Sequence, residues 1–376
     1  MYIPQKQLDN LKKLVKPSKV IVIYGPRRTG KTTLLKKFLE NYQEKYILVD
    51  GEDITVNQYL SSQSVEKLKS FVGNNKLLAI DEAQKIQNIE LNLKLLVDNL
   101  PELSIIATGS SAFDLARDVG EPLTGRKFTL KQYPLSQIEI GQIENRAETD
   151  SRLEERIIFG SYPEVVIASG LEEKRINLKE IAQSYLYKDI LELEGIRYAN
   201  KIVNLLQLLA FQIGKEVSHT ELAERLSMSK NTVEKYLDLL EKTFVIFRLN
   251  GFSRNLRNEI SKNSRYYFYD TGIRNILINN MNSLSMRDDI GALWENYVIS
   301  ERIKKQEYLG ILSNNYFWRT YDQKEIDFVE EREGKLFGYE IKWKGKNTKA
   351  PKIWLEKYPN ATYEEVSKDN YLNFIT

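Results

Sequence analysis

Short β-branched runs alternate along the chain with stretches whose apolar residues recur every three or four positions, and these two periods separate strands from helices. The stretch "KVIVIYGPRRTGKTTLLKKFLE" opens on such a run, Val20 to Ile23, crosses a Gly/Pro loop, and continues with Leu34, Leu35, Phe38 and Leu39 on one side of a helix. Further strand runs lie at Leu77 to Ile80, within "LSIIATGSSAFDLA", and at Lys127 to Leu130. This order predicts an α/β fold with a parallel sheet in the N-terminal third. Residues 146 to 205 read mainly as helices, punctuated by Gly160 and Pro163 within "FGSYPEVV". A helix around His219 to Leu226, a turn through Ser227 and Met228, and a second helix carrying Val233, Leu237 and Leu240 come next. Strands at Phe244 to Leu249 and Tyr266 to Tyr269 complete a winged-helix outline, with His219 expected as a cap or surface residue. From "DDIGALWENYVISERIKK" an amphipathic helix is expected, with Leu293, Tyr297 and Ile299 to Ile303 as its apolar positions. The stretches "YFWRT", "EIDFVEE" and "LFGYEIKWKG" then read as a meander turning at "EREGK". The resulting division is 1–145, 146–205 (a helical lid or linker), 206–284 and 285–376.

A length of 376 residues fits two to four domains of roughly 100–200 residues. The 42% hydrophobic and 28% charged content is normal globular composition and does not favour disorder. A formal net charge of +3 is too small for the whole surface to attract nucleic acid, so any such affinity requires a local basic patch. With no cysteine and one histidine, disulfides, thiolate metal sites, His-based zinc sites and a Ser-His-Asp triad are excluded or left with little to build on. The expected setting is reducing and cytoplasmic. The first residues are broken by Lys6, Asp9, Lys12 and Lys13, and no later run approaches the ~18 apolar residues of a membrane span, so no membrane partner is expected.

The loop after the first strand carries the clearest chemistry. Gly25, Gly30, Lys31 and Thr32 satisfy G-x-x-x-x-G-K-[ST] between a strand and a helix, the context that pattern requires. The spacing lets the backbone of Gly25, Pro26, Arg27, Arg28, Thr29 and Gly30 curl around phosphates at a helix N-terminus continuing into Thr33. Lys31 would reach the β and γ oxygens of ATP, and Thr32 would ligate Mg²⁺. Asp81 and Glu82 end the Leu77 run where a strand meets a ligand crevice; Asp81 would hold Mg²⁺ and Glu82 would polarise the attacking water. Thr108, Ser110 and Ser111 end the next strand, where a polar side chain, Ser110 foremost, could sense the γ-phosphate or simply cap the strand. Arg126 follows Gly125 in a loop and offers either transition-state charge, in cis or from a neighbouring subunit of a homo-oligomer, or a surface ion pair.

Two further constellations carry weaker signals. The second helix of the winged-helix outline presents Lys230, Asn231, Thr232 and Lys235, but Glu234, Asp238 and Glu241 cancel that charge. The following segment is richer, with Arg248, Arg254, Arg257, Lys262, Arg265 and Arg274 interleaved with Phe252, Tyr266 and Tyr267, which suits a DNA groove; packing between domains is the alternative. In the C-terminal hairpin the two-residue period puts Glu340 and Lys342 on one face, where Asp327 from the neighbouring strand meets them and Glu295 adds a carboxylate from the helix. Carboxylates converging on Mg²⁺ beside a lysine would suit phosphodiester hydrolysis. Phe328, Phe337, Tyr339, Ile341 and Trp343 would form the opposite, apolar face, an alternation that any half-buried sheet also shows.

Taken together, "YGPRRTGKTTLL", "LLAIDEAQ", "ATGSS", "LTGRKFTLKQYPLS", "FGSYPEV", "YLYKD", "YFYDTGIRN", "GALWENYV" and "EIDFV…YEIKW" resemble a prokaryotic family of AAA-type P-loop ATPases with a C-terminal domain of unknown function. The resemblance covers nearly the whole chain. It implies ATP and Mg²⁺ binding through Gly25 to Thr32 with Asp81 and Glu82. It also implies a restriction-endonuclease-like fold of PD-(D/E)XK type, in which Glu295, Asp327, Glu340 and Lys342 hold the motif positions. Two functions are then in play: an ATP-hydrolysing protein acting on nucleic acid, or a nucleotide-dependent regulator whose C-terminal domain binds a partner without cleaving.

Overall fold

The computed structural model describes residues 2–110, 123–184, 199–253, 264–320 and 322–376, which divide into two units, Tyr2–Tyr133 and Pro134–Thr376. Among the described residues no helix is long and apolar enough to cross a membrane.

In the N-terminal unit the strands are β1 (Lys19–Tyr24), β2 (Tyr46–Asp50), β3 (Leu77–Asp81), β4 (Ser104–Gly109) and β5 (Lys127–Lys131). All pair in parallel, in the order β2-β3-β4-β1-β5. On one face α1 (Gln7–Leu14) and α2 (Lys31–Leu39) pack Leu11, Leu34, Leu35 and Phe38 against Ile21, Ile23, Leu77, Ala79 and Ile106. On the other, α3 (Ile54–Leu60), α4 (Val65–Val72) and α5 (Ile89–Asn99) bring Leu60, Leu68, Leu93 and Leu96 against Val20, Val22, Leu78, Ile80 and Ile105. Helices on both faces explain why β1, β3 and β4 are apolar at nearly every position. The edge strand β2, which sequence pattern did not single out, alternates instead, with Tyr46 and Leu48 exposed and Ile47 and Val49 packed inward. Parallel pairing gathers the C-terminal ends of the strands, Tyr24, Asp81 and Gly109 among them, along one edge.

The second unit begins with α6 (Gln137–Ile140), α7 (Arg146–Ser151), α8 (Leu153–Phe159), α9 (Pro163–Val166) and α10 (Leu171–Gln183). Next come α11 (Ala199–Phe211), β6 (Glu216–Val217), α12 (His219–Leu226), α13 (Lys230–Lys242), β7 (Ile246–Gly251), β8 (Ser264–Phe268) and α14 (Thr271–Leu277). The remainder is α15 (Ile290–Leu309), β9 (Asn314–Arg319), β10 (Glu325–Arg332), β11 (Lys335–Ile341), α16 (Lys352–Lys357), β12 (Thr362–Val366) and α17 (Tyr371–Ile375). One sheet runs β12-β11-β10-β9-β7-β8-β6, and its β7 and β9 pair in parallel with Asn250 opposite Tyr316.

Three expectations change. The cap of α12 is Ser218, whose side chain accepts from Glu221 N–H; His219 instead bridges Glu234 (3.2 Å) and the Tyr266 hydroxyl (3.0 Å). α15 is buried around its whole circumference rather than amphipathic. Its polar residues find internal partners: Asn296 exchanges hydrogen bonds with the Phe268 backbone, Lys304 pairs with Glu301, and Arg302 with Glu330. Both faces of the C-terminal hairpin are apolar as well. Phe328, Tyr339 and Ile341 join the main core, while Ile326, Val329 and Leu336 pack with Trp318, Trp354 and Tyr358 in a second cluster.

Asp270 fastens the helical segment to the sheet. Its carboxylate accepts from Ser161 N–H (2.7 Å) and, as N-cap of α14, from Ile273 N–H (3.1 Å). Burial raises its pKa, opposed by those N–H donors. Two glycines permit the approach: a Cβ on Gly160 would fall 2.0 Å from Asp270 Oδ1, and one on Gly272 would fall 2.1 Å from the Phe159 carbonyl oxygen. Asp270→Ala is therefore expected to cost about 2–4 kcal/mol, since it strands two buried donors. Urea unfolding followed by tryptophan fluorescence checks this, and an unchanged midpoint would show that the fastening is dispensable.

Candidate functional site

Gly25 to Gly30 carry the chain from the end of β1 into the first turn of α2. Gly30 has φ 89°, and a Cβ on Gly25 would lie 2.0 Å from the carbonyl oxygen of Gln132, so the loop lies against the residue after β5. The loop is braced from outside the motif. The Gln5 amide donates to the carbonyls of Thr29 (3.3 Å) and Gly30 (3.1 Å), and the Gln132 amide reaches the Thr29 carbonyl (3.5 Å). Thr29 Oγ1 donates to Pro26 O at 2.9 Å. Buried Lys31 folds back over the loop, donating to the carbonyls of Gly25 (2.9 Å) and Pro26 (2.7 Å). Pro26 and Thr29 are buried, Arg27 and Thr32 half-buried, Arg28 and Thr33 exposed. Gln5 and Gln132 escaped sequence reasoning because neither belongs to a local pattern; only the fold brings them to the loop.

Asp81 ends β3, and Glu82 follows in the left-handed region at φ 51°. Thr108 on β4 holds this pair: its hydroxyl donates to Asp81 Oδ1 and accepts from Glu82 N–H at 3.1 Å. Gln84 donates to the Glu82 carboxylate. Thr108, rather than Ser110, is thus the β4 residue coupled to the acidic pair; Ser110 lies buried two positions on, and Ser111 lies outside the described residues. The hydroxyl of Thr32 and carboxylate of Asp81 are the hard oxygen donors that suit Mg²⁺. Arg126 requires correction as a cis group. It precedes β5 at the sheet edge where Val20 lies opposite Lys127, four positions before the pair Tyr24 and Lys131, and its Nε donates to Asp98 (2.6 Å).

In the C-terminal unit the structure gathers Glu295 from α15, Asp327 from β10, and Glu340 and Lys342 from and beyond β11. Lys342 Nζ is 2.6 Å from Glu340 Oε1 and 3.5 Å from Asp327 Oδ2. Asp327 sits where β10 shifts register against β9, between Ile326 and Val329, and its Oδ2 accepts from Ile341 N–H at 2.8 Å. β8 adds two residues to the cluster. Buried Arg265 lies 2.7 Å from Glu325, 3.8 Å from Glu295 and 4.0 Å from Asp327, with its guanidinium over the Phe317 ring. Tyr267 donates its hydroxyl to Glu295 Oε1 at 2.6 Å. The period of two in "SRYYF" was the available signal, since it puts Arg265 and Tyr267 on one face of β8.

Burial, then the charge of Asp327, raises Glu295 to about 8, against the pull of Arg265. Burial likewise raises Asp327 and Glu340. Burial works against the charge of Lys342, yet Asp327 and Glu340 outweigh it and lift that pKa. Among the described residues no three His, Cys, Asp or Glu side chains are arranged to hold a metal ion. Glu340 Oε2 is nevertheless buried with no hydrogen bond, and the cations nearest Asp327 are Lys342 at 3.5 Å and Arg265 at 4.0 Å, so open carboxylate oxygen remains beside the lysine.

The basic segment also changes. Arg254, Arg257 and Lys262 lie outside the described residues. Arg265 and Arg274 are buried, the latter paired with Asp289, and Arg248 faces Glu241 at 3.6 Å. Lys230 is exposed, 3.7 Å from Glu234, at a cleft of about 530 Å³ that Glu234, Asp238 and Glu241 also line. Burial raises Glu241 to about 7. His219 and Arg248 line the same cleft, so its charge is mixed.

A raised native pKa at Glu295 means that the folded state holds a proton the unfolded state releases, so its contribution is present below 4.5 and declines as pH rises towards 8. Thermal unfolding measured across that window is expected to show a shallower alkaline decline in Glu295→Gln than in the parent; identical slopes would remove Glu295 as the source.

Comparison with known families matches residues 17–141 to the AAA domain, 150–284 to a domain of unknown function (DUF8612) and 290–370 to another (DUF4143). With the P-loop on a parallel sheet, the N-terminal unit contains an AAA-type P-loop domain. The chain is 28% identical over 333 residues to an uncharacterised protein of Methanocaldococcus jannaschii, covering 83% of this chain and 72% of that one. It is 26% identical over 342 residues to one of Haemophilus influenzae, covering 85% and 81%. Among solved structures, the Walker-type ATPase of Pyrococcus abyssi aligns with a TM-score of 0.45 and 18% identity, over 72% of this chain and 93% of that one.

Proposed function

We propose that this chain binds and hydrolyses ATP and uses the cycle to switch a C-terminal unit that docks to nucleic acid. The observation that carries the reading is the P-loop at the C-terminal edge of a parallel sheet, with Asp81 and Glu82 two strands away and fastened to the intervening β4 by Thr108. Backbone N–H groups of Gly25 to Gly30 would surround the phosphates, and Lys31 would exchange the Gly25 and Pro26 carbonyls for β and γ oxygens. Mg²⁺, held by Thr32 and Asp81, would neutralise phosphate charge when bound. Glu82 would orient the attacking water. Arg126 would act only from a neighbouring copy, in a homo-oligomer.

For the remaining chain we carry the resemblance forward as a reading: a helical segment at 146–205, a winged helix at 206–284 and a restriction-endonuclease-like segment at 285–376. DNA would meet it through the region around Lys230, Arg254 and Arg257. The second reading, a regulator that binds a partner without cutting, is favoured by Arg265, which stands among the carboxylates of the nuclease-like cluster.

Lys31→Ala is expected to abolish nucleotide binding, whereas Glu82→Gln should bind ATP and lose turnover by roughly 10²–10⁴-fold, as for loss of a positioned base. Fluorescent-nucleotide titration and phosphate release measure the two, and undiminished turnover in both variants would refute the site. DNA incubated with Mg²⁺ or Mn²⁺ separates the two C-terminal readings. Cleavage that Asp327→Ala and Lys342→Ala abolish supports a nuclease, and intact DNA with the parent protein supports the regulator.

A further inference from the structure

The chain leaves β11 through "KWKGKNTKAPK", residues 342–352, which holds five lysines and no carboxylate. A run of like charge repels itself and is ordinarily extended or disordered, but this one is fastened to the sheet. Glu365 on β12, opposite Glu340 in the parallel register of β11 and β12, gathers the turn. Its Oε1 accepts from the N–H groups of Lys346 (2.8 Å) and Asn347 (3.2 Å), and its Oε2 from the N–H (2.7 Å) and hydroxyl of Thr348. Asn347 takes the left-handed region at φ 49°, which turns three consecutive N–H groups onto one carboxylate. Burial opposes the charge of Glu365, yet these donors hold its carboxyl below the usual range. The turn thus commits its backbone to the sheet and leaves its side chains in water. Lys344, Lys346, Lys349 and Lys352 are exposed, and none forms an ion pair with a described residue. Lys342, half-buried at the head of the run, lies 2.6 Å from Glu340 and 3.5 Å from Asp327, both buried.

We propose that Lys344, Lys346, Lys349 and Lys352 form a phosphate-binding track that lays a nucleic-acid backbone beside Lys342 and the carboxylates of Asp327 and Glu340. The inference rests on the reading that the C-terminal unit docks to nucleic acid, and it adds to the region around Lys230, Arg254 and Arg257 a surface whose cations have no partner within the chain. A lysine meets phosphate as a point charge without fixed geometry, so the track positions a strand and does not read its sequence. From Lys344 to Lys352 the chain reaches at most ~30 Å. Over that length one DNA strand presents ~8 phosphates, enough for each lysine to meet one. Anchorage by Glu365 lowers the ordering cost of that contact, because the turn is already formed. A nucleic-acid strand can follow the lysines from the exposed turn to half-buried Lys342, which a flat lipid surface cannot.

Fluorescence anisotropy of a labelled DNA duplex of about 30 bp, titrated with the full chain in EDTA between about 50 and 200 mM salt, tests the track. Changing Lys344, Lys346, Lys349 and Lys352 together to Gln should weaken binding at least about tenfold and flatten the slope of log affinity against log salt by about 3–4. Each single Lys→Gln change should flatten it by about 0.9. A control with Lys12, Lys13, Lys67 and Lys69 changed to Gln alters net charge equally on the other unit and should bind like the parent. Affinity and slope unmoved by the four turn substitutions would overturn the track while leaving docking through other residues in place. A parent that binds no DNA would remove the docking reading and the track together. Equal weakening by the control would reduce the effect to net charge and overturn the proposal. So would phosphatidylserine vesicles that bind the parent more tightly than DNA does and lose it with the same four lysines, since that result assigns the turn to lipid.

Discussion

Asp270 keeps a carboxylate out of water by turning it onto two backbone N–H groups, Ser161 from the loop after α8 and Ile273 from the first turn of α14. Much of the second unit is arranged around that contact. Gly160 and Gly272 are the residues that let the two segments approach, and Phe159, Tyr162 and Ile273 close the main core beside them. The motifs "FGSYPEV" and "YFYDTGIRN", over a hundred positions apart, are therefore two halves of one structural joint. Asn275 extends the joint by donating to the carbonyls of Ile157 and Ile158.

The same requirement, that a buried polar group meet a partner, shapes other buried charges of this unit. Glu330 is wholly buried and receives Arg302 at 2.5 and 2.9 Å, with Gln306 adding a third donor. Asp289 takes both Arg274 and Arg287, which hold its carboxyl down at about 2 against the opposing effect of burial. The cluster of Arg265, Glu295, Asp327, Glu340 and Lys342 meets that requirement only in part, because Glu340 Oε2 and Arg265 Nε are buried without a hydrogen bond.

The readable parts of the sequence were the local ones. The glycine spacing of Gly25 and Gly30, the apolar runs of β1 and β3, and the helices at His219–Leu226 and Lys230–Lys242 depend on neighbouring residues, and each lies within a residue or two of its expected place. What escaped depended on distant partners. α15 looked amphipathic because Asn296, Glu301 and Arg302 are polar, yet the Phe268 backbone, Lys304 and Glu330 allow all three to be buried. Arg265 looked like part of a basic surface because its carboxylate partners lie thirty to sixty positions further along the chain. Gln5 and Gln132 are single polar residues whose importance comes from the loop that the fold sets beside them.

The parallel pairing of β7 with β9 carries a consequence for how such a chain can be inherited. The family matches stop at residue 284 and resume at 290, inviting the view of two interchangeable parts. The sheet does not stop there: Asn250 and Gly251 on one side of that gap pair with Tyr316 and Phe317 on the other. A recombination event joining foreign partners across residues 285–289 would leave two central strands with unmatched backbone edges, each open to pairing with another molecule. The sheet pairing thus makes residues on both sides of that gap parts of one folding unit.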